Sequence, residues 1–160
     1  MATAYTADTY YQTNRIVSDG SDFSQYFKFT NSTAFVINDT VALCPIPNSA
    51  QVYVLEWMLA VPALDSSTGV TLALGDGTTA NAFMTTTAAG QSGAGSTLYS
   101  QANGVLGYLP VGYYPATPAP ATGNAVFTLK VIAAASGTPT SGNIIKGWIR
   151  MNMIGNPPLV

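Results

Sequence analysis

Few side chains in this sequence could carry out catalysis or bind a metal ion. The chain has no histidine and one cysteine, Cys44, so imidazole acid–base chemistry and metal sites built from His or clustered Cys are excluded. Asp65, Ser66 and Ser67 could form a nucleophile or metal loop, but the sequence offers no base to activate a serine. A turn explains these three residues better than a reactive site does.

Other candidate sites also have simpler explanations. The sequence Gly-Asp-Gly-Thr at residues 75–78 resembles part of a calcium loop, but calcium usually takes several carboxylates, so we interpret it as a tight turn. Cys44 precedes Pro45 and is predicted to be a buried apolar residue. Nothing in the sequence indicates a pair of carboxylates for glycoside hydrolysis. We therefore expect no enzyme, and no catalytic, metal-binding or cofactor-binding residues.

The scarcity of charge is the most informative feature of the composition. Charged residues make up 8% of the 160 positions, against about 25% in an average soluble domain. Between Asp76 and Lys130 there is no charged residue at all. Five Lys and Arg residues are too few for a surface that tracks nucleic acid. Because neutral side chains are cheap to bury, the composition favours a protein that works inside an assembly; a neutral, freely soluble surface is the alternative.

The apolar segments do not predict a membrane protein. The most apolar stretch, residues 52–64, is interrupted by Glu56 and Pro62 and is shorter than the roughly 20 residues that span a bilayer. The first residues have neither a basic nor an apolar signal region. We expect no signal peptide and no membrane partner.

Alternation of apolar and polar residues predicts strands rather than helices. Residues 23–30 place three phenylalanines and Gln25 on one face, and residues 51–61 are apolar on both faces, as expected of a central strand. Residues 125–133 and 144–153 are predicted to form a hairpin. The sequence therefore predicts one all-β domain, an antiparallel, jelly-roll-like β-sandwich of about eight strands. The predicted strands are residues 10–17, 23–30, 34–43 (one strand or two), 51–61, 70–74, 125–133 and 144–153.

Several segments are predicted to lie outside these strands. Residues 85–104 have little to bury and are expected to form a long loop, with a short helix near 100–103. Residues 112–124 contain three prolines, which favour an extended conformation, and residues 44–49 are expected to be a loop or an edge. We divide the chain into an N-terminal arm, residues 1–16, and a β-sandwich body, residues 17–160.

Several of these features together resemble a known class of protein. A polar arm, a strand-rich body, the Leu-Gly-Asp-Gly-Thr turn at residues 74–78, a neutral Ala/Gly/Thr-rich middle and a final apolar strand resemble the head decoration, or cement, proteins of tailed bacteriophages. The resemblance implies a protein, often trimeric, on the outer face of an icosahedral capsid, where it stabilises the shell by bridging major capsid subunits. The implied partners are the major capsid protein and further copies of this chain, and the implied location is the virion, after synthesis in the host cytoplasm.

Exposed tyrosines are the best candidates for the contact with a capsid. In a tyrosine doublet on a strand one ring points inward and one outward, and an outward ring suits a protein interface or a sugar ring. An exposed ring that only covers a neighbouring strand is the alternative. We expect deletion of residues 2–12 to abolish shell binding and to leave the fold intact. The predicted contact residues are Tyr5, Tyr10 and Tyr11, with Arg15 as a polar anchor, and then Tyr113 and Tyr114.

Two other functions are compatible with the sequence. Two Trp and nine Tyr residues permit a carbohydrate-binding β-sandwich of a phage fibre or surface appendage. A self-assembling jelly-roll capsid protein of a small virus is disfavoured, because the chain has no basic arm to neutralise a packaged genome.

Overall fold

The computed structural model of the chain describes residues 1–13, 22–31, 33–46, 51–93, 95–99, 125–137 and 143–154, which contain ten strands. The strands are β1 (Ala4–Thr6), β2 (Thr9–Thr13), β3 (Asp22–Asn31), β4 (Thr40–Ile46), β5 (Gln51–Val61), β6 (Thr71–Gly75), β7 (Met84–Thr87), β8 (Ser96–Tyr99), β9 (Ala125–Ala133) and β10 (Asn143–Ile154).

The strands form two five-stranded sheets. Sheet A has the order β1-β4-β9-β6-β7, and sheet B has the order β2-β3-β10-β5-β8. Within them the antiparallel partners are nested: β3 pairs with β10, β4 with β9, β5 with β8 and β6 with β7. This nesting is the topology of an eight-stranded jelly roll, and β1 and β2 add one edge strand to each sheet. The predicted all-β, jelly-roll-like sandwich is confirmed.

Side-chain alternation explains how these strands form and pack. In β3 the face predicted to be apolar is buried, while Tyr26 and Lys28 on the opposite face are exposed. Phe127 on β9 links the two sheets, because its ring centroid lies 5.8 Å from that of Phe27 and 6.4 Å from that of Trp57. Strands β3, β9 and β10 thus contribute every second described side chain to one core between the sheets.

The predicted hairpin of the last two strands is wrong. Their positions are right, since β9 and β10 cover nearly the predicted residues, but β9 lies in sheet A and β10 in sheet B. The chain therefore passes from one sheet to the other between these two strands, as a jelly roll requires. Residues 85–104 are also more than a loop, because β7 and β8 fall largely within them; the predicted helix at 100–103 lies outside the described residues.

Two irregularities modify the predicted alternation. In β5 the register against β10 shifts near Leu55, so Val54 joins the core with Trp57, although strict alternation would put the two residues on opposite faces. In β4 the register shifts between Ala42 and Cys44, and the strand continues through Pro45. Proline is tolerated there because β1 pairs with only the first three residues of β4, which leaves this side of the strand an edge among the described residues.

Candidate interaction surface

The N-terminal residues are attached to both sheets. β1 runs parallel to β4, and β2 runs antiparallel to β3. The Thr3 N–H donates to the Asp39 carboxylate at 2.7 Å, and the Thr30 N–H donates to the Asp8 carboxylate at 2.7 Å. Deletion of residues 2–12 would therefore remove two edge strands and expose the edges of β3 and β4. Point substitutions are a cleaner test of whether this segment binds a partner.

Tyr5 packs inside this N-terminal attachment. Its half-buried ring lies with its centroid 5.7 Å from that of Phe29 and 6.0 Å from that of Phe35. Its hydroxyl lies 3.1 Å from Thr33 Oγ1. The Tyr5 side chain thus fixes β1 against the core while part of its surface remains accessible.

The other predicted contact residues are divided between a strand and undescribed parts of the chain. Tyr10 and Tyr11 lie on β2 in sheet B, opposite Phe27 and Tyr26. Tyr5 lies on β1 in sheet A, so the structure does not place it on the same sheet as the doublet. Arg15, Tyr113 and Tyr114 lie outside the described residues.

Asp65 organises one end of the sandwich rather than a reactive site. Its side chain is fully buried, and its carboxylate accepts five backbone hydrogen bonds of 2.8 to 3.0 Å. A Cβ at position 137 would lie 2.7 Å from Asp65 Oδ1, so this close approach suits glycine. We call Asp65 and its five donors the Asp65 cradle; the donors are the N–H groups of Ser67, Gly69, Val70, Ser136 and Gly137.

The electrostatics of the cradle oppose catalysis by Asp65. Burial alone would raise the pKa of the Asp65 carboxyl, but the backbone hydrogen bonds outweigh it and hold the pKa well below its usual range. The carboxylate is therefore ionised and occupied by N–H groups, which fits the predicted turn. Asp76 makes a similar, smaller turn, accepting from the N–H groups of Thr78 and Thr79. Among the described residues no group of three or more His, Cys, Asp or Glu could hold a metal ion.

Cys44 lies in the core, as the sequence predicted. The residue is 2% exposed, and burial raises the pKa of its thiol to about 12. A thiol that stays protonated at neutral pH is a poor nucleophile.

The sequence did not identify a row of large side chains across the outer face of sheet B. Tyr26, Trp148, Met58 and Tyr99 lie directly opposite one another on β3, β10, β5 and β8. Tyr26 and Trp148 each alternate with buried residues along their own strands, but only strand pairing brings them together. We call these four side chains the aromatic row.

Within the described residues, no helix is long and apolar enough to cross a membrane.

Comparison with known proteins connects the fold to phage capsids. No protein-family model matches the chain, and no curated protein matches its sequence. A chain of the solved structure described as the capsid of Ralstonia phage GP4 is similar with a TM-score of 0.55 and 18% identity, over 97% of this chain and 100% of that chain. A chain of the Cyanophage Pam1 capsid asymmetric unit is similar with a TM-score of 0.54 and 15% identity, over 89% of this chain and 91% of that one. The chain therefore shares its fold, along nearly its whole length, with chains found in two phage capsid structures.

Proposed function

We propose that this chain is a non-enzymatic structural protein of a phage virion, which binds the outer face of an icosahedral capsid and stabilises it by bridging major capsid subunits. The observation that carries the proposal is the fold shared end to end with chains of two phage capsid structures. The low charge content of the sequence supports the same role, because a neutral surface loses little when neighbours cover it.

The mechanism we propose is repeated, modest binding. A capsid presents the same site many times, and a protein that touches several subunits at once gains affinity through effective concentration. Subunits tied together in this way need more energy to separate. Strand addition at a sheet edge would supply main-chain hydrogen bonds, and β1 and β2 are the edge strands on one side of the sandwich.

We also propose the assembly state and the contact residues. Three copies of the chain form the binding unit, so the native mass in solution would be three times 16.6 kDa. Light scattering of the purified protein tests this number, and a monomeric mass would contradict it. The proposed capsid contacts are Tyr5, Tyr10, Tyr11, Arg15, Tyr113 and Tyr114.

The experiment that tests the function compares particles of the phage that encodes the chain, made with and without its gene. We expect the protein in purified shells, added protein to rebind shells that lack it, and the undecorated shells to break at a lower temperature. Accessibility of the bound protein to an antibody tests the outer location. Absence of the protein from purified particles would overturn the proposal.

The contact residues need a test of their own. Tyr10→Ala and Tyr11→Ala change the doublet without removing an edge strand, and we expect at least one of them to weaken rebinding to shells. Tyr5→Phe removes the hydroxyl contact with Thr33 and keeps the ring, so it tests whether the Tyr5 hydroxyl contributes to shell binding. If both doublet variants rebind like the wild type, the assignment of the doublet is wrong.

A further inference from the structure

The outer face of sheet B carries an unusual set of exposed side chains. Tyr26 is 44% exposed and Tyr99 is 51% exposed, while Met58 and Trp148 between them are half-buried. The four strands of the aromatic row are separated by three inter-strand steps, so the row extends about 14 Å across the sheet. The strand position next to Tyr26 on β2 is Tyr11, one of the proposed capsid contacts.

Two lysines on one side of the aromatic row have no ion-pair partner among the described residues. Lys28 and Lys146 are directly opposite one another on β3 and β10, two positions along the strands from Tyr26 and Trp148. Both lysines are exposed, and within the described residues neither has an acidic group within ion-pair distance. Like charges at directly opposed positions of a sheet are destabilising, so this face maintains an unfavourable pair that an acidic partner would relieve.

The other side of the row is already neutralised. Arg150 Nη1 lies 3.1 Å from Glu56 Oε1. Arg150 is two positions after Trp148 on β10, and Glu56 is two positions before Met58 on β5. The face thus has an apolar and aromatic centre, one internal ion pair and one pair of unneutralised lysines. Tyr, Trp and Met are the residues enriched at the centres of protein interfaces, where Lys is depleted except at the rim.

We propose that the outer face of sheet B is a docking surface for a different protein with an apolar patch and carboxylates opposite Lys28 and Lys146, which in a virion is a shell subunit. This inference rests on the proposed function and names the surface by which the chain meets the shell. We propose an acidic partner because its carboxylates would complement the positive charges of Lys28 and Lys146.

A second copy of this chain fits the face less well. Five acidic side chains are described in contact with other groups, and all five are engaged within the chain: Glu56 with Arg150, and four aspartates with backbone N–H groups. Those aspartates are Asp8, Asp39, Asp65 and Asp76. Of these five only Asp8 is exposed, so their carboxylates in another copy offer little opposite charge to the two lysines.

The test measures binding of purified full-length variants to shells of the encoding phage prepared without this protein. Tyr26→Ala and Tyr99→Ala truncate exposed rings, so they remove contact area without opening the core. We expect each to weaken shell binding at least about tenfold, the usual loss at an interface anchor. The matched control is Ile37→Ala, which truncates a residue that is 56% exposed outside both sheets and should bind like the wild type.

A charge reversal tests the lysines separately. The double variant Lys28→Glu, Lys146→Glu keeps a like-charged pair and so resembles the wild type in stability, but it should repel an acidic partner. We expect weaker shell binding than that of the wild type, with the difference shrinking as salt is added. Lys130→Glu reverses a charge on sheet A and should leave binding unchanged.

Each outcome decides between distinct explanations. Shell binding by the wild type with equal binding by the sheet B variants would overturn this docking surface and leave the proposed function standing. Failure of the wild type to bind shells would overturn both. A native mass that falls in the tyrosine variants would show that the face joins copies of this chain. Binding of an anionic polysaccharide that the same variants abolish would make the occupant a glycan; either result overturns the proposal.

Discussion

The Asp65 cradle and the outer face of sheet B use charge in opposite ways. In the cradle one buried carboxylate receives five backbone N–H groups from two loops that are far apart in sequence. On the sheet, Lys28 and Lys146 face each other with no acidic group within ion-pair distance among the described residues. In a chain with 12 formally charged residues, this contrast separates charge that builds the fold from charge left available to a partner.

The two outer faces of the sandwich show the same separation. On sheet A the residues opposite Lys130 are small and neutral: Thr40 is half-buried and Ala73 is buried. None of the described large apolar residues that are exposed lies on a strand of sheet A, whereas Tyr26, Tyr99 and Ile144 all lie on sheet B. The sheets share a core but differ in what they offer to a neighbour, so sheet A supplies the natural control for every test of sheet B.

The largest effect is expected from Asp65→Asn. Asparagine keeps one acceptor oxygen and turns an N–H₂ group toward backbone donors, so several buried N–H groups lose their partner. We expect the free energy of unfolding to fall by about 3–5 kcal/mol, because each such loss costs about 1–3 kcal/mol and relaxation recovers part of it. Denaturant unfolding measures the change.

Asp76→Asn is the matched control for this substitution. The hydrogen bonds from the Thr78 and Thr79 N–H groups both end on Oδ1 of Asp76, an acceptor that asparagine retains. We expect the free energy of unfolding of Asp76→Asn to fall by about 1 kcal/mol or less. Equal losses at positions 65 and 76 would show that the cradle has no special structural role.

Acid should remove the contribution of Asp65 selectively. Hydrogen bonds lower the pKa of its carboxyl in the folded chain, so its contribution is complete above the ordinary aspartate pKa of about 3.9 and is lost as the pH falls below that value. The difference in unfolding free energy between the wild type and Asp65→Asn should therefore narrow below about pH 4. Unfolding curves from neutral to acidic pH test this. A constant difference would mean that the carboxyl is not held ionised by the fold.

Gln25 provides a buried polar group without the partners that Asp65 has. It is 3% exposed, and its Oε1 has no hydrogen-bond partner among the described residues. Gln25→Met has nearly the same volume and removes this unsatisfied oxygen. We expect the free energy of unfolding to rise by about 1 kcal/mol, measured by denaturant unfolding. A loss of stability would indicate that the amide has a partner that Met cannot replace.

The sequence predicted those features that depend on local alternation. In residues 144–153 every second residue is apolar, and in residues 23–30 three of the four inward residues are phenylalanines. One face of each strand meets the core, and both strands were placed correctly. The pairing was not predictable in the same way. The segments that form β9 and β10 would suit a hairpin equally well, and nothing within them shows that they belong to different sheets.

The functional surfaces show the same limit. The sequence assigned Asp65 to a turn, but two of its donors, Ser136 and Gly137, are 71 and 72 residues away. Likewise, Lys28 and Lys146 alternate with buried residues of their own strands, yet their opposition depends on the register between β3 and β10. Contacts set by long-range register are absent from local patterns, and the aromatic row is one of them.

The smallest effect, and the one that separates stability from binding, is expected from the single variant Lys28→Glu. It replaces a like-charged pair with an opposite-charged pair across β3 and β10, so the free energy of unfolding should rise by about 0.5 kcal/mol, within the range for exposed cross-strand pairs. Thermal unfolding at low and high salt tests this, since the gain should shrink as salt is added. Lys130→Glu should show no such gain, because the strand positions opposite it carry no charge. If Lys28→Glu is more stable but binds shells less well, the lysine pair lowers stability and favours binding. If Lys28→Glu is no more stable than the wild type, the two lysines do not repel each other.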